Sequence, residues 1–122
     1  MKGKIEHRVP LSAQALTLLE KRESLRPLTS EKYVFPNTKG NPLTDNALNK
    51  SIARYGGGTA SIHGFRTTFK TWATDNAFDD LLSEQALAHI DRDKVRAAYQ
   101  RSDMLERRRE LMQSWADFVM PR

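Results

Sequence analysis

His63 and Arg66 stand three residues apart in His63-Gly-Phe-Arg66. On a helix that spacing sets both side chains on one face, where an imidazole and a guanidinium can hold one oxyanion between them. Such a pair arises often by chance, so its weight depends on the rest of the chain. His89 comes 23 residues after Arg66, in Ala86-Leu-Ala-His89, and Tyr99 comes ten residues later within a basic stretch. Together these residues offer anion binding, proton transfer and a hydroxyl nucleophile. Tyr33 and Tyr55 are rival hydroxyls, but each lies beside apolar or turn residues with no basic cluster, which suits packing.

The elements that must carry these side chains are mostly helical. Lys4 to Leu11 alternates polar and apolar residues before Pro10, which predicts a short edge strand or hairpin arm. Ser12 can cap a helix with Ala15, Leu18 and Leu19 on one face, ended by Arg26-Pro27. Tyr33-Val34-Phe35 reads as a very short strand running into the turn Lys39-Gly40-Asn41-Pro42. Thr44 caps the next predicted helix, which reaches Tyr55 and is broken by Gly56-Gly57-Gly58.

A helix predicted from His63 to Asn76 places Phe65, Phe69, Trp72 and Ala73 at helical spacing. Shorter helices follow over Leu81 to Leu87 and Asp93 to Tyr99. In the last helix Asp103 and Glu106 resemble a capping box, and Met104, Leu111, Trp115 and Phe118 form the apolar stripe, with Arg107, Arg108 and Arg109 largely off it. The fold class expected is mainly α with a small β element at the N-terminus.

The chain has 122 residues, 39% of them hydrophobic and 29% charged, which supports one packed domain or part of one. Its mean hydropathy is −0.66. With no cysteine, disulfide scaffolds, Cys-ligated zinc, iron–sulfur clusters and thiol nucleophiles are excluded. No apolar run approaches the roughly 18 residues of a membrane span, so a soluble cytoplasmic protein is expected, with no membrane partner.

A net charge of +5 favours a polyanionic partner, and its distribution is uneven. Thr74 to Asp91 holds five acidic and no Lys or Arg residues, whereas Arg92 to Arg109 holds seven basic residues against three acidic. Within that basic stretch, Arg92, Lys94, Arg96 and Arg101 are the candidate contacts to such a partner.

The set His63-Gly-Phe-Arg66, Ala86-Leu-Ala-His89 and Ala97-Ala-Tyr99-Gln-Arg-Ser closely resembles the phage integrase family of tyrosine recombinases. The resemblance extends back to Arg8-Val-Pro-Leu11 and forward through Arg107 to Phe118. It implies part of a catalytic domain of the DNA breaking-rejoining fold, with residues 1–122 as its C-terminal portion and the N-terminal DNA-binding domains and start of the catalytic domain absent. It implies Tyr99 as nucleophile, Arg66, His63 and His89 around the scissile phosphate, and Lys2 as the acid that protonates the leaving 5′ oxygen, with Lys4 as a less fitting candidate.

Neither metal nor cofactor is implied. The implied partners are a double-stranded attachment site, further copies of the chain in a tetramer on DNA, and accessory DNA-bending proteins; the implied location is the bacterial nucleoid. Family members carry another active-site arginine before the lysine hairpin, and no arginine of this sequence occupies that place, so impaired cleavage is expected.

The chemistry is consistent with these roles. A tyrosine hydroxyl with a pKa of about 10 attacks poorly at neutral pH unless the phosphate is already neutralised and a neighbour takes its proton. The alternative is a non-catalytic DNA-binding module of helix-turn-helix type, which leaves Tyr99 and both histidines without a task. A third reading, a metal-dependent nuclease using Asp79, Asp80, Asp91 and Asp93, competes with the use of those carboxylates at helix starts and turns.

Overall fold

The computed structural model describes residues 6–25, 32–56, 58–89 and 103–122. Among them are five helices: α1 (Ala13–Ser24), α2 (Asp45–Tyr55), α3 (Ile62–Asp75), α4 (Asp80–Ala86) and α5 (Leu105–Val119). None is long and apolar enough to cross a membrane. The chain divides into two units, Met1–Ala15 with Phe69–Arg122, and Leu16–Thr68, so that both α1 and α3 cross the boundary.

The first unit owns the core. Phe69, Ala73, Leu82 and Leu111 are buried together, with Trp72, Phe78, Met104, Met112 and Trp115 packed against them. The predicted period of α3 is realised at Phe69, Trp72 and Ala73 but not at Phe65, which is exposed: Phe69 meets Trp115 edge to face at 5.4 Å, and Trp72 lies 5.1 Å from Trp115 and 5.8 Å from Phe118. Offset and edge-on aromatic pairs at these separations add to the gain from burial.

Two helix ends in this unit close the same way. After α3, Phe78 N–H donates to the Ala73 carbonyl and Ala77 N–H to that of Thr74, with Ala77 left-handed at φ 58°. This satisfies carbonyls that a helix end otherwise strands, and it seats Phe78 5.3 Å from Trp72. Asp79 then caps α4, its carboxylate accepting from Leu81 N–H at 2.9 Å.

Arg108 corrects the expected pattern of α5. It is among the most buried side chains, because Met104, Arg108, Leu111, Trp115 and Phe118 alternate by four and three along one stripe. Its guanidinium donates to the Asp103 carbonyl at 3.0 Å and to the Arg8 carbonyl, so the charge is buried against backbone acceptors. Burial lowers its pKa from the ordinary arginine value.

The capping box does not form. Met104 is the N-cap and sits left-handed at φ 48°; the Asp103 carboxylate binds Arg8 at 2.6 Å and accepts from Leu105 N–H, and Glu106 pairs forward with Arg109. The Arg8 hydrogen bond holds Asp103 below the usual carboxylate range.

The N-terminal strand also fails to appear over residues 6–12, which belong to no helix or strand. Pro10 lacks a ladder donor, and the Arg8 carbonyl is taken by Arg108 rather than by a neighbouring strand. Lys4 and Ile5 lie outside the described residues. Ser12 does cap α1, accepting from Ala15 N–H at 3.2 Å, while Gln14 and Gln113 bond each other and both reach Asp117.

The second unit is built on local hydrogen bonds. Tyr33 to Phe35 is not a strand; a single antiparallel bridge joins Pro36 and Pro42. Asn37 closes that loop, its side-chain oxygen accepting from Lys39 and Asn41 N–H at 2.9 and 3.0 Å. Arg22 of α1 donates to the Val34 carbonyl and lies 5.9 Å over the Phe35 ring. Thr44 precedes α2, as predicted, but its side chain makes no capping bond. Gly56 ends the helix where a Cβ would meet Ile52 O at 2.7 Å and Ala60 Cβ at 2.9 Å. The predicted stop at Arg26-Pro27 and the helix over Asp93 to Tyr99 fall outside the described residues.

Candidate active site

One group of candidate residues stands at the start of α3. Ser61 caps this helix, its hydroxyl accepting from Gly64 N–H at 3.0 Å. His63 is therefore in the first turn and Arg66 follows within the second, both exposed and on one face. The Thr67 and Thr68 hydroxyls are turned back onto the His63 and Gly64 carbonyls. A helix start carries unsatisfied N–H groups and the positive end of the helix dipole, so histidine and arginine there add to an electrostatic preference for an anion.

The other group stands at the end of α4, within the packed unit. Ala88 adopts the left-handed conformation at φ 55°, its N–H donating to the Gln85 carbonyl at 3.1 Å. That turn brings His89 back over the last turn of the helix. His89 N–H donates to the Glu84 carbonyl at 3.0 Å, and its Nδ1 bonds the Glu84 carboxylate. His89 is thus tied to one residue through both backbone and side chain.

Glu84 is itself fixed. Lys70 of α3 reaches Glu84 at 2.7 Å, Asp80 at 2.6 Å and the Ser83 hydroxyl at 2.7 Å. Partial burial pushes Glu84 upward, but hydrogen bonds from Lys70 and His89 outweigh it and leave the carboxyl below its usual value of 4.5. Burial likewise pulls Lys70 down, and its bonds to Asp80 and Glu84 reverse this, raising it above 10.5.

His63 and Arg66 thus share a helix face as their spacing predicts, and His89 stands at a helix end with a defined ring partner. Lys2, Tyr99, Arg92, Lys94, Arg96 and Arg101 lie outside the described residues. Sequence reasoning missed Lys70 and Glu84; the available signal was an acid five residues before a histidine across a helix end. Two of the four aspartates proposed as metal ligands have other uses. Asp79 caps α4 and pairs with Arg107 at 3.2 Å, and Asp80 binds Lys70. Asp91 and Asp93 lie outside the described residues.

Comparison with known proteins places the sequence in a family. The family model described as "Phage integrase family" matches residues 1–106. The prophage integrase IntA of Escherichia coli (strain K12) is 40% identical over 98% of this chain and 29% of its own length. The integrase of Shigella phage Sf6 is 36% identical over 98% of the chain and 31% of its own, and that of Enterobacteria phage P4 is 35% identical over 98% and 28%. The chain therefore spans less than a third of these relatives' length. No solved structure matches it significantly. A family signature over most of the sequence, with integrases similar to nearly all of it, shows that the chain belongs to the phage integrase family.

Proposed function

We propose that the chain is the C-terminal part of an integrase catalytic domain that breaks and rejoins DNA at a phage or prophage attachment site. The observation that carries this reading is the His63–Arg66 pair at the capped start of α3, in a chain whose relatives are named integrases. Arg66 forks two N–H groups onto the scissile phosphate, and His63 and His89 contact its oxygens or exchange protons. Tyr99 attacks phosphorus, the bond to the 5′ oxygen breaks, and Lys2 supplies the proton to that oxygen. The phosphotyrosine keeps the bond energy for rejoining. Arg92, Lys94, Arg96 and Arg101 hold the flanking backbone, and further copies of the chain and DNA-bending proteins complete the assembly.

Within residues 1–122 no arginine takes the family's position before the lysine, and loss of one transition-state donor costs about 100-fold or more in rate. The 122-residue chain is therefore expected to bind DNA weakly, in a salt-sensitive way, and to cleave it little or not at all. The test is a nicked attachment-site duplex carrying a 5′-bridging phosphorothiolate, whose thiol leaves irreversibly, resolved on a denaturing gel after long incubation. A faint covalent adduct that disappears in Tyr99→Phe supports the reading. An adduct that survives Tyr99→Phe overturns it. Abundant, rapid adduct shows the unmatched arginine to be dispensable.

A further inference from the structure

We propose that Glu84, braced by Lys70, is the positioning residue that decides which nitrogen of His89 faces the DNA. The inference rests on the reading of His89 as a phosphate-side residue, and adds a function to two side chains which that reading leaves unused.

His89 presents two nitrogens, and in the neutral ring only one carries a proton. A carboxylate can only accept, so Nδ1 must be the protonated nitrogen when it bonds Glu84. Nε2 is then left with its lone pair, on a side chain that is 48% exposed. In this form the neutral ring accepts a proton through Nε2, and the same nitrogen becomes a donor once the ring is charged. Without Glu84, neither nitrogen would be favoured by a partner among the described residues.

A lone exposed carboxylate would hold the ring poorly, because its side chain turns freely. Here three contacts restrain it. Lys70 binds the other carboxylate oxygen at 2.7 Å, while Asp80 and the Ser83 hydroxyl fix Lys70 at 2.6 and 2.7 Å. Ser83 is fully buried and donates to the Asp80 carbonyl at 2.9 Å, so the chain of bonds ends in the packed interior. The backbone bond from His89 N–H to the Glu84 carbonyl fixes the distance from the other side. An acid holding one imidazole nitrogen so that the opposite one is set for its task follows the general behaviour of ligating and catalytic histidines.

The experiment is long-range proton–nitrogen NMR of the imidazole rings in the 122-residue chain at alkaline pH, above the ordinary imidazole value of about 6.5. His89 is assigned by its loss in His89→Ala. The expected spectrum shows His89 with the proton on Nδ1, and Glu84→Ala shifts it toward the Nε2-protonated form. Wild-type protein with the proton on Nε2 overturns the proposal, and that result stands even if the variant does not fold.

Adduct formation on the phosphorothiolate duplex gives the second readout. Glu84→Ala is expected to slow it about tenfold in the wild-type background and not at all in His89→Ala, since the pair acts as a unit. Equal slowing in both backgrounds overturns the proposal. An adduct that survives Tyr99→Phe fails the recombinase reading, while the position of the ring proton still decides the role of Glu84.

Discussion

All the buried side chains among the described residues lie in the unit formed by Met1–Ala15 and Phe69–Arg122, and none lies in Leu16–Thr68. The first unit closes around Phe69, Ala73, Leu82 and Leu111 with two tryptophans against them. In the second, Leu18, Leu25, Phe35, Leu48, Tyr55 and Phe65 are all exposed, and order comes from an Asn37 loop, an Arg22 contact and a tight Gly56 turn. Of the candidate residues, His89 stands on the packed unit, and His63 and Arg66 on the other. Packed interiors resist small changes in volume, whereas locally bonded segments open at low cost, so substitutions should separate the two units by size of effect.

The largest separation is expected between two leucines. Leu111 is completely buried, and Leu111→Ala should cost about 2–5 kcal/mol through lost transfer energy and a residual cavity. Leu48 is 54% exposed in α2, and Leu48→Ala should stay within about 0.5 kcal/mol. Urea denaturation followed by tryptophan fluorescence measures the first, because Trp72 and Trp115 report on the core; far-ultraviolet circular dichroism measures both. Equal losses at the two positions would show that Leu48 is covered and that the contrast between the units is false.

Next comes Gly56→Ala, aimed at the unit without a core. The added Cβ has Ile52 O at 2.7 Å and Ala60 Cβ at 2.9 Å, closer than either can tolerate, so the turn must shift at a cost of about 1–3 kcal/mol. Hydrogen exchange should register the loss at the amides of α2 while those of α5 stay protected. Spread of the loss into α5 would mean that the two units unfold as one.

A pH series sharpens the contrast from the packed side. Glu84 is lowered in the folded chain, so its contribution is present above its unfolded value, near 4.5, and is lost as pH falls through the folded value. Lys70 is raised, so its contribution is complete below 10.5 and is lost as pH rises through its folded value. Stability of the packed unit should hold between these limits and decline on both sides. Lys70→Met should flatten the alkaline decline and shrink the acid one; an unchanged profile would show the Lys70–Glu84 pair to be energetically silent.

Much of this was legible in the residues. The spacing of Phe69, Trp72 and Ala73 announced the buried face of α3, Ser12 announced a helix start, and His63 and Arg66 announced a shared face; each depends on neighbours within one or two turns. What escaped depends on distant partners or on left-handed backbone. Asp103 and Glu106 read as a capping box, but the Asp103 carboxylate is shared between Arg8, 95 residues away, and the Leu105 N–H, and Glu106 pairs with Arg109. Arg108, read as lying largely off the apolar stripe, completes its four-three spacing, and the backbone carbonyls of Asp103 and Arg8 accept from its buried guanidinium. Glu84 and His89 meet only because Ala88 turns the chain back, and no periodicity encodes a residue with positive φ.

Ala88 also provides the smallest expected effect. Alanine at φ 55° pays the steric cost of the left-handed region, which glycine avoids, while glycine gives the unfolded chain more freedom to lose. These terms oppose each other, and Ala88→Gly should stabilise by only about 0.5 kcal/mol, seen as a small rise in melting temperature. The sign carries the information. Ala77 at φ 58° ends α3 with the same pair of backbone bonds but leads to Phe78, which is packed on Trp72, so Ala77→Gly should gain a similar amount. At Ala88 the next residue is His89, held by Glu84 instead of by an aromatic neighbour. If Ala88→Gly raises stability and leaves the His89 proton on Nδ1, the carboxylate alone holds the ring; if the proton moves while stability rises, the strained alanine is part of what aims it.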